Sequence, residues 1–315
     1  MSVIRTSTLR MSKEDWTAAQ RESIGGSDAA AVLGLNPWKG PFALWAEKTG
    51  AVEPEDISTK EAVRLGTYLE EYVAQRFAEE TGKRVRRENA ILRNTAYPWA
   101  HANVDRMIIG EKAGLECKTT SELNMKRFRG GEYPVTYYCQ CMHYMAVTGF
   151  PKWYLAVLVG NREFFWYEIP RDEAEISALM GAEEQFWTAV EAREAPAMDG
   201  SSSEAEAIND MYQDEGGEAD LSPCAGDIQE YLVLKAQIKK LQALMDASAD
   251  RIKAVMGANR IGSLGGATVS WAAYNSSRLD KAALQAAHPE INLNAYKKVT
   301  TARRFEVKGD LPWQT

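Results

Sequence analysis

Residues 103–120 read NVDRMIIGEKAGLECKTT, and this stretch decides the fold. Two short apolar runs flank a glycine-containing turn, which predicts a pair of antiparallel strands. Side chains alternate along a strand, so Glu116 and Lys118 share one face of the sheet while Cys117 points to the other. Asp105 stands near the start of the first strand, where antiparallel pairing can bring its carboxylate beside that of Glu116.

This cluster of charges suggests a metal site. Two carboxylates and a lysine on one sheet face are costly to bury unless a cation lies between the acids. Mg²⁺ prefers oxygen ligands and keeps waters for a phosphate substrate, so we expect Mg²⁺, with Mn²⁺ as a substitute. Lys118 is then expected to position or activate the attacking water. Upstream, Glu70 borders the apolar face of a helix and is either a further metal ligand or a surface glutamate, whereas Glu71 points toward solvent.

Hydrophobic periodicity and capping residues predict the other elements of an α/β core. Helices are expected at residues 27–34, 41–50, 60–81, 135–147 and 172–194. Strands are expected at residues 90–92, 104–109, 115–119, 153–159 and 163–169, the last two joined as a hairpin. In the longest of these helices, the residues at helical spacing that we expect to be buried are Leu65, Leu69, Tyr72, Val73 and Phe77.

The composition is that of a globular protein, with 45% hydrophobic residues in 315. No uninterrupted apolar run approaches the roughly 18 residues that a membrane span needs, and no apolar secretion segment follows the first residues, so we expect a cytoplasmic protein. The net charge of −7 is concentrated in residues 170–220, which hold 15 acidic and 2 basic residues. None of the four cysteines forms a CxxC pair, which argues against a zinc site or an iron–sulfur cluster.

The chain divides into three expected segments. Residues 1–195 form the core, the acidic Gly/Ser-rich residues 196–222 form a linker, and residues 223–315 form a C-terminal unit. That last unit is expected to hold a helix over residues 227–255, and strands near residues 267–271 and 303–307. Apolar residues of this helix follow steps of three and four, which fits packing on its own domain or contact with a subunit or partner.

A set of motifs resembles one nuclease family. The order Gly66-x-x-x-Glu70, Asp105, Glu116-x-Lys118 and Gln140 resembles the PD-(D/E)xK nucleases, and more narrowly the YqaJ-type viral recombinases related to lambda exonuclease. Other strings carry this resemblance in the family's order, over about residues 16–190. They are Ile24-Gly25-Gly26-Ser27-Asp28, Leu33-Gly34-Leu35-Asn36-Pro37-Trp38, Leu44-Trp45-x-x-Lys48-Thr49-Gly50, Tyr97-Pro98-Trp99 and Tyr138-Cys139-Gln140. The proline that often precedes the motif's Asp is replaced by Val104.

The resemblance implies a restriction-endonuclease-like α/β core, with a mixed central sheet flanked by helices and a helical C-terminal appendage. It also assigns roles to residues. Asp105, Glu116 and Glu70 match the Mg²⁺-binding acids, and the Cys117 backbone carbonyl matches a further ligand. Lys118 matches the catalytic lysine. Gln140 matches a glutamine that helps to order the site.

Two groups of residues are expected to contact DNA. Arg21 and Ser27 match residues that hold the terminal 5′-phosphate in the family, although Arg21 also fits a surface ion pair and Ser27 a helix N-cap. A basic cluster lies between the active-site strand and the Gln140 helix, where it can touch a DNA backbone. Its members are Lys126, Arg127 and Arg129.

The resemblance implies 5′→3′ digestion of one strand of linear double-stranded DNA, leaving 3′ overhangs for phage-type recombination in a bacterial host. It further implies a single-strand annealing protein as partner and a ring-shaped homotrimer around DNA. Two alternatives stay open at this stage. One is a structure-specific or Cas4-like endonuclease on the same core, and the other is a non-catalytic DNA-recombination scaffold.

Overall fold

The computed structural model describes residues 2–300 and 303–308 of the chain. Its strands are β1 Val3–Ser7, β2 Val85–Arg87, β3 Ala90–Asn94, β4 Tyr97–Asn103, β5 Arg106–Ile108, β6 Ala113–Thr120, β7 Lys152–Val159, β8 Glu163–Pro170, β9 Ile261–Leu264 and β10 Ala267–Ser270. Its α-helices are α1 Lys13–Arg21, α2 Ala29–Val32, α3 Pro41–Lys48, α4 Glu61–Thr81, α5 Val135–Thr148, α6 Glu173–Ala192, α7 Ser202–Met211, α8 Ala225–Met256 and α9 Lys281–Ala287. Among the helices it describes, none is long and apolar enough to cross a membrane.

A five-stranded sheet in the order β2-β5-β6-β7-β8 forms the centre of the first unit. Strands β6 and β7 run parallel, and every other neighbouring pair in this sheet is antiparallel. The parallel pair requires a crossover, which α5 supplies. The expected mixed sheet flanked by helices is therefore confirmed, and a second antiparallel sheet, β1-β3-β4, lies on the far side of α5.

Helix α5 is buried on all sides because it packs against both sheets and α6. Every residue from Cys139 to Thr148 is buried. A helix that is apolar all round is typical of such a central position. The chain leaves α5 at Gly149, which adopts a left-handed conformation with φ of 70°. This helix and the central sheet together hold the largest part of the core.

Helix α4 packs on the other face of the sheet, and its buried residues lie in its C-terminal half. Val73, Ala74 and Phe77 are buried there. The expectation that the apolar face includes Leu65 and Tyr72 is wrong, since these side chains are 51% and 47% exposed. Leu65 and Tyr72 instead line an open groove that runs along α4 from Ala62 to Glu80.

Residues 196–222, expected as a linker, include helix α7. Its Ser203 hydroxyl accepts a hydrogen bond of 3.0 Å from the Gly40 backbone N–H, and Ala207 is buried in the cluster that also contains α3. This packing places α7 in the first unit, which extends to Gln213 instead of ending at residue 195. Of the three acids of α7, Glu206 and Asp210 are exposed, whereas Glu204 is buried and accepts a hydrogen bond of 2.7 Å from the Asp199 backbone N–H.

The second unit begins at Asp214 and contains α8, the β9–β10 hairpin and α9. Helix α8 spans 32 residues, somewhat more than the expected residues 227–255. The strand expected near residues 267–271 is present as β10. Residues 303–307 do not form a strand, although Phe305 packs edge-on against Tyr231 of α8.

A Gly114→Ala substitution should destabilise the protein, because a Cβ at this position would lie 2.1 Å from Cζ2 of the fully buried Trp153. Overpacking of this kind typically costs about 1–3 kcal/mol. Urea unfolding measures the free energy directly. The matched control is Gly181→Ala in α6, where a Cβ meets no atom within 4 Å among the described residues and should stabilise the helix by up to ~1 kcal/mol. Equal stability of Gly114→Ala and the wild-type protein would contradict this packing.

Candidate active site

The β5–β6 hairpin brings two carboxylates together. Arg106 pairs with Leu115 in the hairpin, and one further step of this register places Asp105 opposite Glu116. Asp105 lies in the bend just before β5, so the expected strand over residues 104–109 is shorter at this end. Its Oδ2 accepts a hydrogen bond of 2.8 Å from the Cys117 backbone N–H, which fixes the carboxylate at the edge of the hairpin.

Glu116 and Lys118 share one face of β6, as the alternation of side chains predicts. Lys118 Nζ lies 2.6 Å from Glu116 Oε1 and 5.2 Å from the ring centroid of Tyr137 on α5. The Glu116 side chain is only 3% exposed. Its second oxygen, Oε2, is buried without a hydrogen-bond partner among the described residues. An unsatisfied buried carboxylate oxygen is costly, so this atom is a candidate ligand atom.

Glu70 reaches the same cleft from α4, but it is held by Arg106. The Arg106 guanidinium is almost fully buried and forms ion pairs with Glu70 and, at 3.0 Å, with Glu71 Oε2. It also donates a hydrogen bond of 2.8 Å to the Asp105 carbonyl oxygen. Glu71 is exposed, as expected, and in addition pairs with Arg106. A signal was available in the sequence, because a charged residue within a buried strand needs acidic partners.

The charges in the cleft shift one another's pKa values. Burial and the Glu116 and Glu70 carboxylates raise the pKa of Asp105 well above its ordinary value, and the Cys117 N–H offsets this only in part. Burial by itself would lower the pKa of Lys118, but Glu116 and Asp105 outweigh burial and raise that pKa. Lys118 is thus held here as an ammonium group paired with Glu116.

The donor set suits one divalent cation bound by two carboxylates. Within the described part of the chain, no group of three or more His, Cys, Asp and Glu side chains stands close enough to hold a metal ion. Asp105 and Glu116 repel each other, and Glu116 has a free buried oxygen, so a cation between them would relieve both costs. The cleft has a volume of about 260 Å³, and it is lined by Val63, Gly66, Thr67, Glu70, Asp105, Glu116, Cys117, Lys118 and Thr119.

Helix α5 contributes polar groups to the same region. The Gln140 side-chain Nε2 donates a hydrogen bond of 2.8 Å to the Tyr144 hydroxyl. Burial, followed by the Glu116 and Asp105 carboxylates, raises the pKa of Tyr144 well above its ordinary value. Gln140 therefore contacts a neighbour of the carboxylates. Sequence reasoning missed Tyr137 and Tyr144, although they lie three residues before and four residues after Gln140, on one side of the helix.

Arg21 and Ser27 line one cavity of about 520 Å³ beside the carboxylate cleft. Val63 lines both spaces, so they adjoin each other. Arg21 Nη2 forms an ion pair of 2.6 Å with Glu53, whose side chain is 80% exposed. Ser27 is exposed and does not cap α2, because Asp28 occupies the N-cap position.

The basic cluster of Lys126, Arg127 and Arg129 lies on a kinked 3-10 segment, Glu122–Gly131, that follows β6. All three side chains are exposed. Arg127 lies close enough to Tyr137 to oppose the rise in the pKa of that phenol. The cluster is therefore at the same end of β6 as the ammonium group of Lys118.

Comparison with known proteins identifies a relative that matches 95% of the chain. The sequence profile of the YqaJ-like viral recombinase domain matches residues 15–151. An uncharacterized protein named YqaJ from Bacillus subtilis (strain 168) is 42% identical over 304 residues, which cover 95% of each chain.

Solved structures give more distant likenesses. An alkaline exonuclease, LHK-Exo, from Laribacter hongkongensis is 20% identical, with a TM-score of 0.49 over 58% of this chain and 94% of that chain. A phage-related exonuclease from Haemophilus somnus 129PT is 10% identical, with a TM-score of 0.37 over 57% of this chain and 100% of that chain.

Asp105→Asn should stabilise the protein in EDTA by about 1 kcal/mol, the usual size of a single stabilising substitution. The amide oxygen can still accept from the Cys117 N–H, while the repulsion from Glu116 is removed. A carboxyl whose pKa is raised by folding contributes stability below its ordinary value of 3.8 and loses it as the pH rises through the folded value. The gain in the free energy of unfolding of Asp105→Asn should therefore be small at acidic pH and complete near pH 8.

Urea unfolding at several pH values in EDTA measures this effect. Asp210→Asn, at an exposed position of α7, is the matched control and should change stability by less than ~0.5 kcal/mol. A loss of stability in Asp105→Asn near pH 8 would contradict the charge repulsion described for this cleft.

Proposed function

Because this chain belongs to the YqaJ-like viral recombinase family, we propose that it is a Mg²⁺-dependent DNA exonuclease. It digests one strand of linear double-stranded DNA in the 5′→3′ direction and leaves 3′ overhangs. The observation that carries this proposal is the buried Glu116 carboxylate, whose Oε2 lacks a partner among the described residues and lies beside Asp105 and Lys118. Two neighbouring acids beside a lysine, one of them with a buried oxygen that has no partner among the described residues, favour a cation-dependent phosphodiesterase.

Asp105 and Glu116 are the residues that hold the cation. Glu70 and Cys117 line the same cleft, and in this proposal the Glu70 carboxylate and the Cys117 backbone carbonyl complete the ligand set. Mg²⁺, or Mn²⁺ in its place, supplies a Lewis acid that polarises the phosphate and favours an ionised water. Asp105 and Glu116 are the best supported ligands, because the Glu70 carboxylate already forms an ion pair with Arg106.

Lys118 orients the attacking water and offers positive charge to the phosphate oxygens in the transition state. Its Nζ lies 2.6 Å from Glu116 Oε1, at the end of the cleft where a water and the phosphate oxygens would receive its hydrogen bonds. Tyr137 limits the movement of this group through its ring face. Gln140 keeps Tyr144 in place behind Glu116.

The cavity beside the cleft holds the terminal 5′-phosphate. Arg21 presents a guanidinium group and Ser27 a hydroxyl, a combination that suits a phosphate. Because this cavity adjoins the carboxylate cleft at Val63, a bound 5′ end has its first phosphodiester near Asp105 and Glu116. The exposed cluster of Lys126, Arg127 and Arg129 binds the DNA backbone next to the cleft.

In the cell this activity would supply 3′ overhangs to a single-strand annealing protein, a role compatible with a viral recombinase domain. Such a protein works in the bacterial cytoplasm and is encoded by a phage or prophage. The annealing protein, which coats single-stranded DNA, is the partner that we propose.

We also propose that the chain is a homo-oligomer, with α8 as one contact between copies. Positions that alternate in steps of three and four form a heptad seam that is exposed except at Ser248: Tyr231, Leu234, Ile238, Leu241, Met245, Ser248, Ile252 and Val255. In a parallel pairing, Glu230 of one copy would face Lys235 of the next, so the flanking charges are complementary. The trimer implied by the family resemblance is the assembly that we propose.

Glu116→Gln and Lys118→Ala should each lower the rate of digestion of linear duplex DNA by about 10²–10³-fold, the usual effect of removing one group that stabilises a transition state. The rate is measured in Mg²⁺ with label at the 5′ end of one strand, and EDTA should abolish it. Glu206→Gln and Lys112→Ala, both at exposed positions, are the matched controls and should digest DNA at the wild-type rate.

A closed circular duplex should remain intact in the same experiment, because it has no 5′ end. Cleavage of the circle at the rate seen on linear DNA would favour an endonuclease. Wild-type activity in Glu116→Gln would contradict the assigned site.

Leu241→Asp should lower the molar mass of the protein in solution, measured by light scattering after size exclusion, because it buries a charge in the seam. Val233→Asp, outside the seam on the same helix, is the matched control and should keep the wild-type mass. A monomeric wild-type protein, or an unchanged mass in Leu241→Asp, would contradict the role of α8.

A further inference from the structure

Lys48, at the C-terminal end of α3, is a buried lysine whose three hydrogen atoms all have acceptors. Its side chain is only 7% exposed. Nζ lies 2.7 Å from the Gln20 carbonyl oxygen, 2.8 Å from the Ser23 carbonyl oxygen and 2.7 Å from Asp28 Oδ2. A primary ammonium group has three donors, so its hydrogen-bonding capacity is used completely inside the protein.

These three acceptors belong to the two segments that carry Arg21 and Ser27. Gln20 precedes Arg21 in the last turn of α1, and Asp28 directly follows Ser27. A single ammonium group therefore ties the end of α1 to the loop that presents the Ser27 hydroxyl. Both tied segments line the cavity proposed for the 5′-phosphate.

Asp28 extends the same connection within the loop. Its Oδ2 also accepts a hydrogen bond of 3.1 Å from the Gly25 backbone N–H. Burial alone would raise the pKa of Asp28, but Lys48 and the Gly25 N–H outweigh it and lower that pKa. Asp28 thus remains a carboxylate, and it neutralises the charge of Lys48.

Residues of the core also hold the loop that carries Ser27. His101 of β4 lies 2.8 Å from the Ser23 hydroxyl through Nδ1 and 3.0 Å from Gln20 Oε1 through Nε2. A Cβ on Gly26 would lie 2.5 Å from a ring carbon of Tyr144, so the loop sits directly on the core. The position of Ser27 is therefore set by fixed groups on both sides of the loop.

We propose that Lys48 and Asp28 are positioning residues that hold Arg21 and Ser27 at the separation needed to bind a terminal 5′-phosphate, and so determine the preference for 5′-phosphorylated over 5′-hydroxyl DNA ends. This inference rests on the proposed function. The pair carries no net charge and its donors are already used, so it acts through the geometry of the cavity. A displacement of roughly 1 Å in a positioning contact can cost about 10²-fold in rate.

The test compares initial rates and KM on two linear duplexes that differ only in a 5′-phosphate or a 5′-hydroxyl group. Asp28→Asn distinguishes a positioning role of the Lys48–Asp28 pair from a simple attraction between the Lys48 charge and the 5′-phosphate. If Lys48 acts by charge, removal of Asp28 frees that charge and raises the preference for the phosphorylated end. If the pair positions the cavity, Asp28→Asn lowers that preference by about tenfold or more, mainly through a higher KM on phosphorylated DNA.

Lys39 provides the matched control because it lines the same cavity but pairs with Glu47 at 2.7 Å. Lys48→Met and Lys39→Met remove the same charge from the same cavity. We expect a large loss of preference only in Lys48→Met, with partial recovery in Lys48→Arg. Thermal unfolding of each variant shows whether it is folded, and Asp28→Asn decides the question if Lys48→Met does not fold.

The outcomes separate the two claims. A wild-type enzyme without a 5′-phosphate preference would overturn the phosphate cavity in the proposed function, and this inference with it. A wild-type preference that persists in Asp28→Asn, or that falls equally in Lys39→Met and Lys48→Met, would overturn the positioning role alone.

Discussion

The pairing of β5 with β6 is the constraint on which the rest of this structure depends. Its register places Asp105 opposite Glu116, and the alternation of side chains adds Lys118 to the same place. A fold selected for stability alone would separate two buried carboxylates or give both of them partners. Here one ammonium group faces two acids, and Glu116 Oε2 is left without a partner among the described residues. This uncompensated charge is a cost that a bound cation would remove.

The surrounding elements place other charged groups around this pair. Helix α4 brings Glu70 from one face of the sheet, and the buried Arg106 joins it to the Asp105 carbonyl oxygen. Helix α5 closes the other face and supplies Tyr137 beside Lys118. The cavity with Arg21 and Ser27 adjoins the cleft, so the proposed phosphate contact and the proposed cleavage site share a wall. A DNA end bound in this cavity would thus have its first phosphodiester close to the carboxylate cleft.

The local sequence pattern was sufficient to predict the β5–β6 hairpin, the long helices and the shared face of Glu116 and Lys118. These features depend on alternation, capping and helical spacing within a few residues. The ion pairs of Arg106 could not be predicted from local pattern. They join β5 to Glu70 and Glu71 of α4, which lie 36 and 35 residues earlier in the chain. Helix α7 was missed for a related reason. Its acidic and serine-rich sequence resembles a linker, and its packing in the cluster that contains α3 cannot be seen in the local pattern.

Crystals grown with Mn²⁺ provide the most direct test of the central claim, through the anomalous scattering of the metal. We expect one Mn²⁺ ion bound by carboxylate oxygens of both Asp105 and Glu116, with Glu116 Oε2 as a ligand. Manganese found only elsewhere, with Glu116 still paired to Lys118 and Oε2 still without a ligand, would contradict it.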